Sequence, residues 1–185
     1  MAAAAPEALD EAVRRLDAGG VVVIPTDTVY GVAARIDRPE AVRRIFSIKR
    51  RPLDKPLPVL VPDLERALRL AVMTPEASEM AERGWPGPLT LVLPAVPGGG
   101  IALGGDGSTI GVRIPAHPVA LELLRRAGPL AATSANRSGD PTGSGIEAAV
   151  QQLGEGVDLY LDAGPLGTVP SRVVSLVSDP HVLRE

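Results

Sequence analysis

Short β-branched or apolar runs take turns with stretches of helical spacing along the whole chain. This alternation narrows the possible folds more than any other feature. VVVI at 21–24 follows a segment, 7–18, in which Leu9, Ala12, Val13 and Leu16 recur at helical spacing before Gly19-Gly20 stops it. Asp37 and Pro39 open a second helix, with Ala41, Val42, Ile45, Phe46 and Ile48 on one face and Pro52 at its end. PLPVLV at 56–61 reads as a strand. Asp63 starts a helix to about Leu70, and Thr74-Pro75 caps another through about Arg83. LTLVLPA at 89–95 and IGVRI at 110–114 read as strands, and the glycine-rich PGGGIALGGDGST between them, 97–109, reads as mobile. Helices at 118–127 and 146–153 and strands at 129–133, 157–161 and 172–177 complete the series. Strands that follow helices favour parallel pairing, whereas adjacent strands late in the chain favour a mixed sheet. The expected fold is therefore a single α/β domain over residues 1–185, an open mixed sheet with flanking helices.

Composition removes several classes of function. There is no cysteine, which excludes disulfides, zinc–thiolate sites and thiol nucleophiles. The only histidines, His117 and His181, lie far apart, and no metal ligands are expected among the side chains. No apolar run approaches the ~18 residues of a membrane span, and MAAAAPEALDEAVRRL lacks the positive start of a signal peptide. The expected compartment is the cytoplasm, with no membrane partner.

Three polar segments sit at strand ends, where α/β folds place ligands. PTDTVYG, 25–31, follows VVVI directly. It is either a simple turn capped by Asp27 or a ligand loop. IKRRPLDKPL, 48–57, holds Lys49 and Lys55, the chain's only lysines, beside Arg50 and Arg51, with Asp54 as the one carboxylate. A positive island in a chain of net charge −3 suits a small anion better than a long polyanion. An exposed helix C-terminus, where cations are favoured, explains it equally well. ATSANRSGDPTGS, 132–144, carries Asn136, the only asparagine, among small hydroxyls and glycines that allow close approach to backbone N–H groups. An Asx turn is the plainer account. Trp85 reads as a packing anchor, and Tyr30 suits packing or stacking. No P-loop or dinucleotide fingerprint is present.

Taken together, PTDTVYG, KRRP followed by KPL, WPGPLT, GVRIPAHP, TSANRSG and SRVV resemble, in order, the YrdC-like threonylcarbamoyl-AMP synthase family over about residues 10–184. The resemblance implies a twisted open sheet around a large concave positive groove. It implies that L-threonine, bicarbonate and ATP give threonylcarbamoyl-AMP and pyrophosphate, with Mg²⁺ on the phosphates. The product would pass to transferase partners that modify adenosine in tRNA. It places Thr28 and Arg113 on threonine, with Arg113 forking onto the carboxylate, and Ser134 and Ser171 at threonine-side positions. Lys49, Arg51, Lys55, Thr109, Asn136, Ser144 and Arg184 match ATP-side positions, with Lys49 and Arg51 expected to act in catalysis from an exposed helix end. Residues 182–185 would fray on their own, but Arg184 matches an arginine that reaches the nucleotide. Lys55 stands where many members have Asn, Leu60 where they have His, Asp27 for the commoner Glu, and Arg172 for Thr. Ending at Glu185, the chain is expected to lack the C-terminal domain of longer members. Two alternatives use the same groove: binding of double-stranded RNA or tRNA, and action on another carbamoyl or acyl substrate.

Overall fold

The computed structural model describes residues 6–97, 102–178 and 180–185. The helices form where the apolar spacing places them: α1 (Pro6–Asp17), α2 (Pro39–Lys49), α3 (Leu64–Leu68), α4 (Pro75–Gly84), α5 (Pro118–Ala127) and α6 (Ile146–Leu153). Their starts have local causes. The Asp63 carboxylate accepts from Arg66 N–H at 2.8 Å, and the Thr74 hydroxyl accepts from Ala77 N–H at 3.1 Å. Proline stands at the first helical positions of α2, α4 and α5, where its missing N–H costs nothing.

The strands are β1 (Val22–Ile24), β2 (Gly31–Arg35), β3 (Val59–Leu60), β4 (Leu89–Pro94), β5 (Thr109–Arg113), β6 (Leu130–Ser134), β7 (Leu159–Tyr160), β8 (Arg172–Ser175) and β9 (His181–Arg184). They form one nine-stranded sheet in the order β7-β1-β2-β6-β3-β5-β4-β8-β9. β1 with β7, β3 with β5, and β4 with β8 run parallel; the other pairs are antiparallel, so the sheet is mixed as expected. Two strands were not foreseen. β2 lies where the sequence suggested only loop, and β9 replaces the frayed tail.

Alternation along the strands divides the core into two layers. Val21, Val23, Val32, Ala34, Val59, Val61, Leu91, Leu93, Ile110, Val112, Ala131 and Val174 pack on one face with residues of α2, α3, α4 and α6. On the other face Val22, Ile24, Ala33, Leu60, Leu130 and Ala132 pack with α1 and α5 alone. That second layer stops at β3. Beyond it the same face presents Thr109, Gly111 and Arg113 of β5, Thr90 and Val92 of β4, and Val173 and Ser175 of β8, because their alternate neighbours point into the first layer. Among the described residues, half of one sheet face is thus left without a helix.

Of the glycine-rich segment, residues 98–101 lie outside the described residues. Gly104 is tightly seated at φ +87°, where an added Cβ would stand 2.7 Å from Leu53 O and 2.8 Å from Phe46 Cζ. Only glycine fits there.

Candidate active site on the open sheet face

The loop after β1 folds back over this face. Thr26 Oγ1 donates to Val29 O at 2.5 Å and accepts from the N–H groups of Thr28 and Val29, both at 3.2 Å. That turn holds Thr28 buried and aims its hydroxyl at β5. There Arg113 is 5% exposed, and each of its nitrogens has a fixed partner. Nε donates to Gly87 O at 2.9 Å, Nη1 to Thr28 Oγ1 at 3.0 Å and Nη2 to Asp27 Oδ1 at 2.7 Å. Asp27 Oδ1 also accepts from Ala116 N–H at 2.9 Å, which ties the loop to the start of α5. Burial lowers the Arg113 pKa and the Asp27 charge opposes that shift. Gly167 passes so near that an added Cβ would lie 2.6 Å from Thr28 O.

Ser171, buried before β8, shares a 2.9 Å hydrogen bond with Thr90 Oγ1. Arg184 on β9 reaches back to it, donating to Ser171 O at 2.9 and 2.8 Å and to Ser171 Oγ at 3.2 Å. The Arg184 charge acts on both Arg113 and Arg51. Arg51 donates to Lys55 O at 2.8 Å and Pro56 O at 3.1 Å. Burial first and Arg184 second lower the Arg51 pKa.

Lys49 does not sit at an exposed helix end. It is 1% exposed, and its ammonium donates to the carbonyls of Ser134 and Asn136. The expectation fails because α2 ends against the loop after β6, so the helix terminus is covered by chain instead of water. Burial, and then Arg51, push the Lys49 pKa down to about 7. Asn136 is buried as well. Its Nδ2 donates to Arg137 O at 2.9 Å and Asp140 O at 2.6 Å, which fixes the amide, and its Oδ1 has no partner among the described residues.

Hydrogen bonds thus join Thr28 to Arg113, Arg184 to Ser171, and Lys49 to Ser134 and Asn136, and the charges of Arg184 and Arg51 act between these three groups. Thr109 lies on the same face two residues along β5 from Gly111. Ser144 is exposed, and its carbonyl accepts from Leu166 N–H at 2.7 Å, in the loop that carries Gly167 past Thr28. The Lys55 side chain is exposed, and its carbonyl serves Arg51. Leu60 is buried among the α1 and α5 side chains, paired in register with Arg113 and Leu130.

Two of the doubtful aromatics are structural. Tyr30 OH donates to Gly164 O at 2.8 Å and accepts from Ala163 N–H at 2.9 Å, and Trp85 Nε1 donates to Leu89 O at 2.7 Å. Sequence reasoning missed Thr90 and the Gly87 carbonyl, whose only signal was their place in WPGPLT. Among the described residues, no group of three or more His, Cys, Asp or Glu could hold a metal. No described helix is long and apolar enough to cross a membrane.

The chain has known relatives. The family model for Sua5, YciO and YrdC, described as telomere recombination, matches residues 14–185. The chain belongs to this family. It is 43% identical over 176 residues to a Mycobacterium tuberculosis protein named as a candidate threonylcarbamoyl-AMP synthase, covering 94% of this chain and 81% of that one. It is 34% identical over 180 residues to the Stenotrophomonas maltophilia threonylcarbamoyl-AMP synthase, covering 95% and 97%. Among solved structures, Pyrococcus abyssi Sua5 complexed with L-threonine superposes with a TM-score of 0.89 at 38% identity. The superposition covers 95% of this chain but 53% of Sua5, so the chain spans about half the length of that relative.

Proposed function

We propose that the chain is an L-threonylcarbamoyladenylate synthase, a nucleotidyltransferase of the cytoplasm. The observation that carries this is the helix-free half of the sheet. There a guanidinium held by Asp27, Thr28 and Gly87 lies within the field of Arg184, which also acts on Arg51, and Arg51 in turn acts on Lys49 at the end of α2; these cations have little carboxylate to balance them. Two anions brought side by side need such an arrangement.

In this reading Arg113 takes the threonine carboxylate with the N–H donors left after its three protein contacts, and Thr28, Ser134 and Ser171 surround the rest of the amino acid. The threonine amine and carbon dioxide from bicarbonate form a carbamate and release a proton. A carbamate oxygen then attacks the α-phosphorus of ATP. The P–O bond to the β-phosphate breaks, and pyrophosphate leaves with that electron pair. No protein nucleophile takes part. The protein's share is positioning and stabilisation of the charge that builds on the phosphate, with Arg51 and Arg184 as the nearest guanidiniums and Lys55, Thr109, Asn136 and Ser144 around the nucleotide. Mg²⁺ would enter on the phosphates and neutralise part of their charge, because the described side chains offer it no cage of their own. Transferases that modify tRNA would consume the product.

Incubation with threonine, bicarbonate, Mg²⁺ and ATP tests the proposal. Pyrophosphate and an AMP-linked product should form only when all are present. Binding of tRNA with no threonine-dependent pyrophosphate would sink the reading and favour an RNA-binding module.

A further inference from the structure

Lys49 touches the loop after β6 at both ends of the residue. Its ammonium donates to Ser134 O and Asn136 O, and its own carbonyl accepts from Ser138 N–H at 2.9 Å. One buried residue at the end of α2 thereby fixes three alternate positions of the segment that presents Ser134 and Asn136. The charges around it give it no other task. No carboxylate among the described residues pairs with it, and Arg51, which follows it, repels it. The facing loop offers carbonyls. Its own charged groups look elsewhere: Arg137 donates to Gln152 O at 2.9 Å, and Asp140 takes part through its backbone. Arg184, on β9, acts on Arg51.

We propose that Lys49 is a positioning residue for both substrates, holding the Ser134–Ser138 loop in place, and that direct contact with phosphate falls to Arg51 and Arg184. The inference rests on the reading of the site as one for threonine and ATP. It separates from the simpler idea of a phosphate-binding lysine by what happens to threonine alone. If Lys49 met only phosphate, its loss would leave threonine affinity intact. If it sets the loop, threonine and nucleotide affinities fall together, because Ser134 and Asn136 move together.

The decisive variant is Lys49→Met, which keeps a long apolar stem in the buried channel and removes the donors. With the circular dichroism spectrum unchanged, threonine binding measured without nucleotide and ATP binding measured without threonine should each weaken about tenfold or more. The loss in threonine affinity should be strongly non-additive with that of Ser134→Ala, because Lys49 acts through the loop that carries Ser134. A general loss of packing would give additive effects. Loss of ATP affinity with threonine affinity retained, or no loss of either, overturns the proposal. Hydrogen exchange on the unmodified protein keeps the idea testable if the variant fails to fold. The Ser138 amide should open together with the last turn of α2, and independent opening overturns the clamp. Unmodified protein that binds neither threonine nor ATP refutes the synthase reading, while the exchange result still decides the clamp.

Discussion

A buried amine and a buried guanidinium set the chemistry at the residue scale, and each gives a stability prediction of opposite kind. Lys49 has a folded pKa of about 7 against an ordinary 10.5. Between those values the unfolded chain holds a proton that the folded chain does not. Stability from this group therefore rises as pH rises from about 7 to 10.5 and is absent below that window. Urea denaturation across this range should show the unmodified protein gaining on Lys49→Met as pH increases; parallel curves would refute a depressed Lys49. Arg113 and Asp27 form an ion pair with side chains 6% and 17% exposed. Asp27→Ala leaves the guanidinium without its counter-charge and Ala116 N–H without its acceptor. It should cost about 1.5–3 kcal/mol of stability, read from the urea midpoint, together with threonine affinity. An effect on affinity alone would make Asp27 a ligand contact instead of a tether. The sequence announced Lys49 through the rarity of lysine, but not its burial. A cation at a helix end is ordinarily solvated, and only the loop folded against it, distant in sequence, changes that.

At the scale of elements, β9 completes the site from the edge of the sheet. It pairs with β8 through Val173 with Arg184, Val174 with Val182 and Ser175 with His181, and it delivers Arg184 to Ser171. Arg184→Ala should raise the apparent Michaelis constant for ATP about tenfold or more, with a smaller loss of threonine affinity through its missing bonds to Ser171. Deleting 181–185 removes the pairing partner of β8 as well, so threonine affinity should fall further than in Arg184→Ala. Equal phenotypes for the two variants would show that the strand itself has no separate role. Neither β9 nor β2 was legible in advance. GVAAR has little β-branched content and lies next to a polar turn, and it becomes a strand because β1 and β6 pair with it on both sides. The helices were readable because their spacing, caps and prolines act locally. The site was readable only in part: its loops stood out by composition, whereas Thr90 and the Gly87 carbonyl owe their roles to tertiary contact.

For the whole molecule, the two ligands should act as folding partners. Threonine or ATP at about 100 times its dissociation constant should each add about 2.7 kcal/mol to stability, read as a rise in melting temperature. No shift from either would argue against the whole site. The placement of that site also bears on how freely the protein can change over generations. Along β5, Ile110 and Val112 hold the molecule together while Thr109, Gly111 and Arg113 lie on the helix-free side, and β4 and β8 repeat the division. Substitutions on the open side therefore alter what is bound without emptying the core, so new specificities can be tried one residue at a time on a scaffold that stays folded. Lys49 and Arg113 break that separation, since each is buried in the structure and part of the site at once. A lineage drifting to a new substrate could change Thr109 early, but would have to rebuild the loop after β6 before it could give up this lysine, and the Asp27 loop before it could give up Arg113.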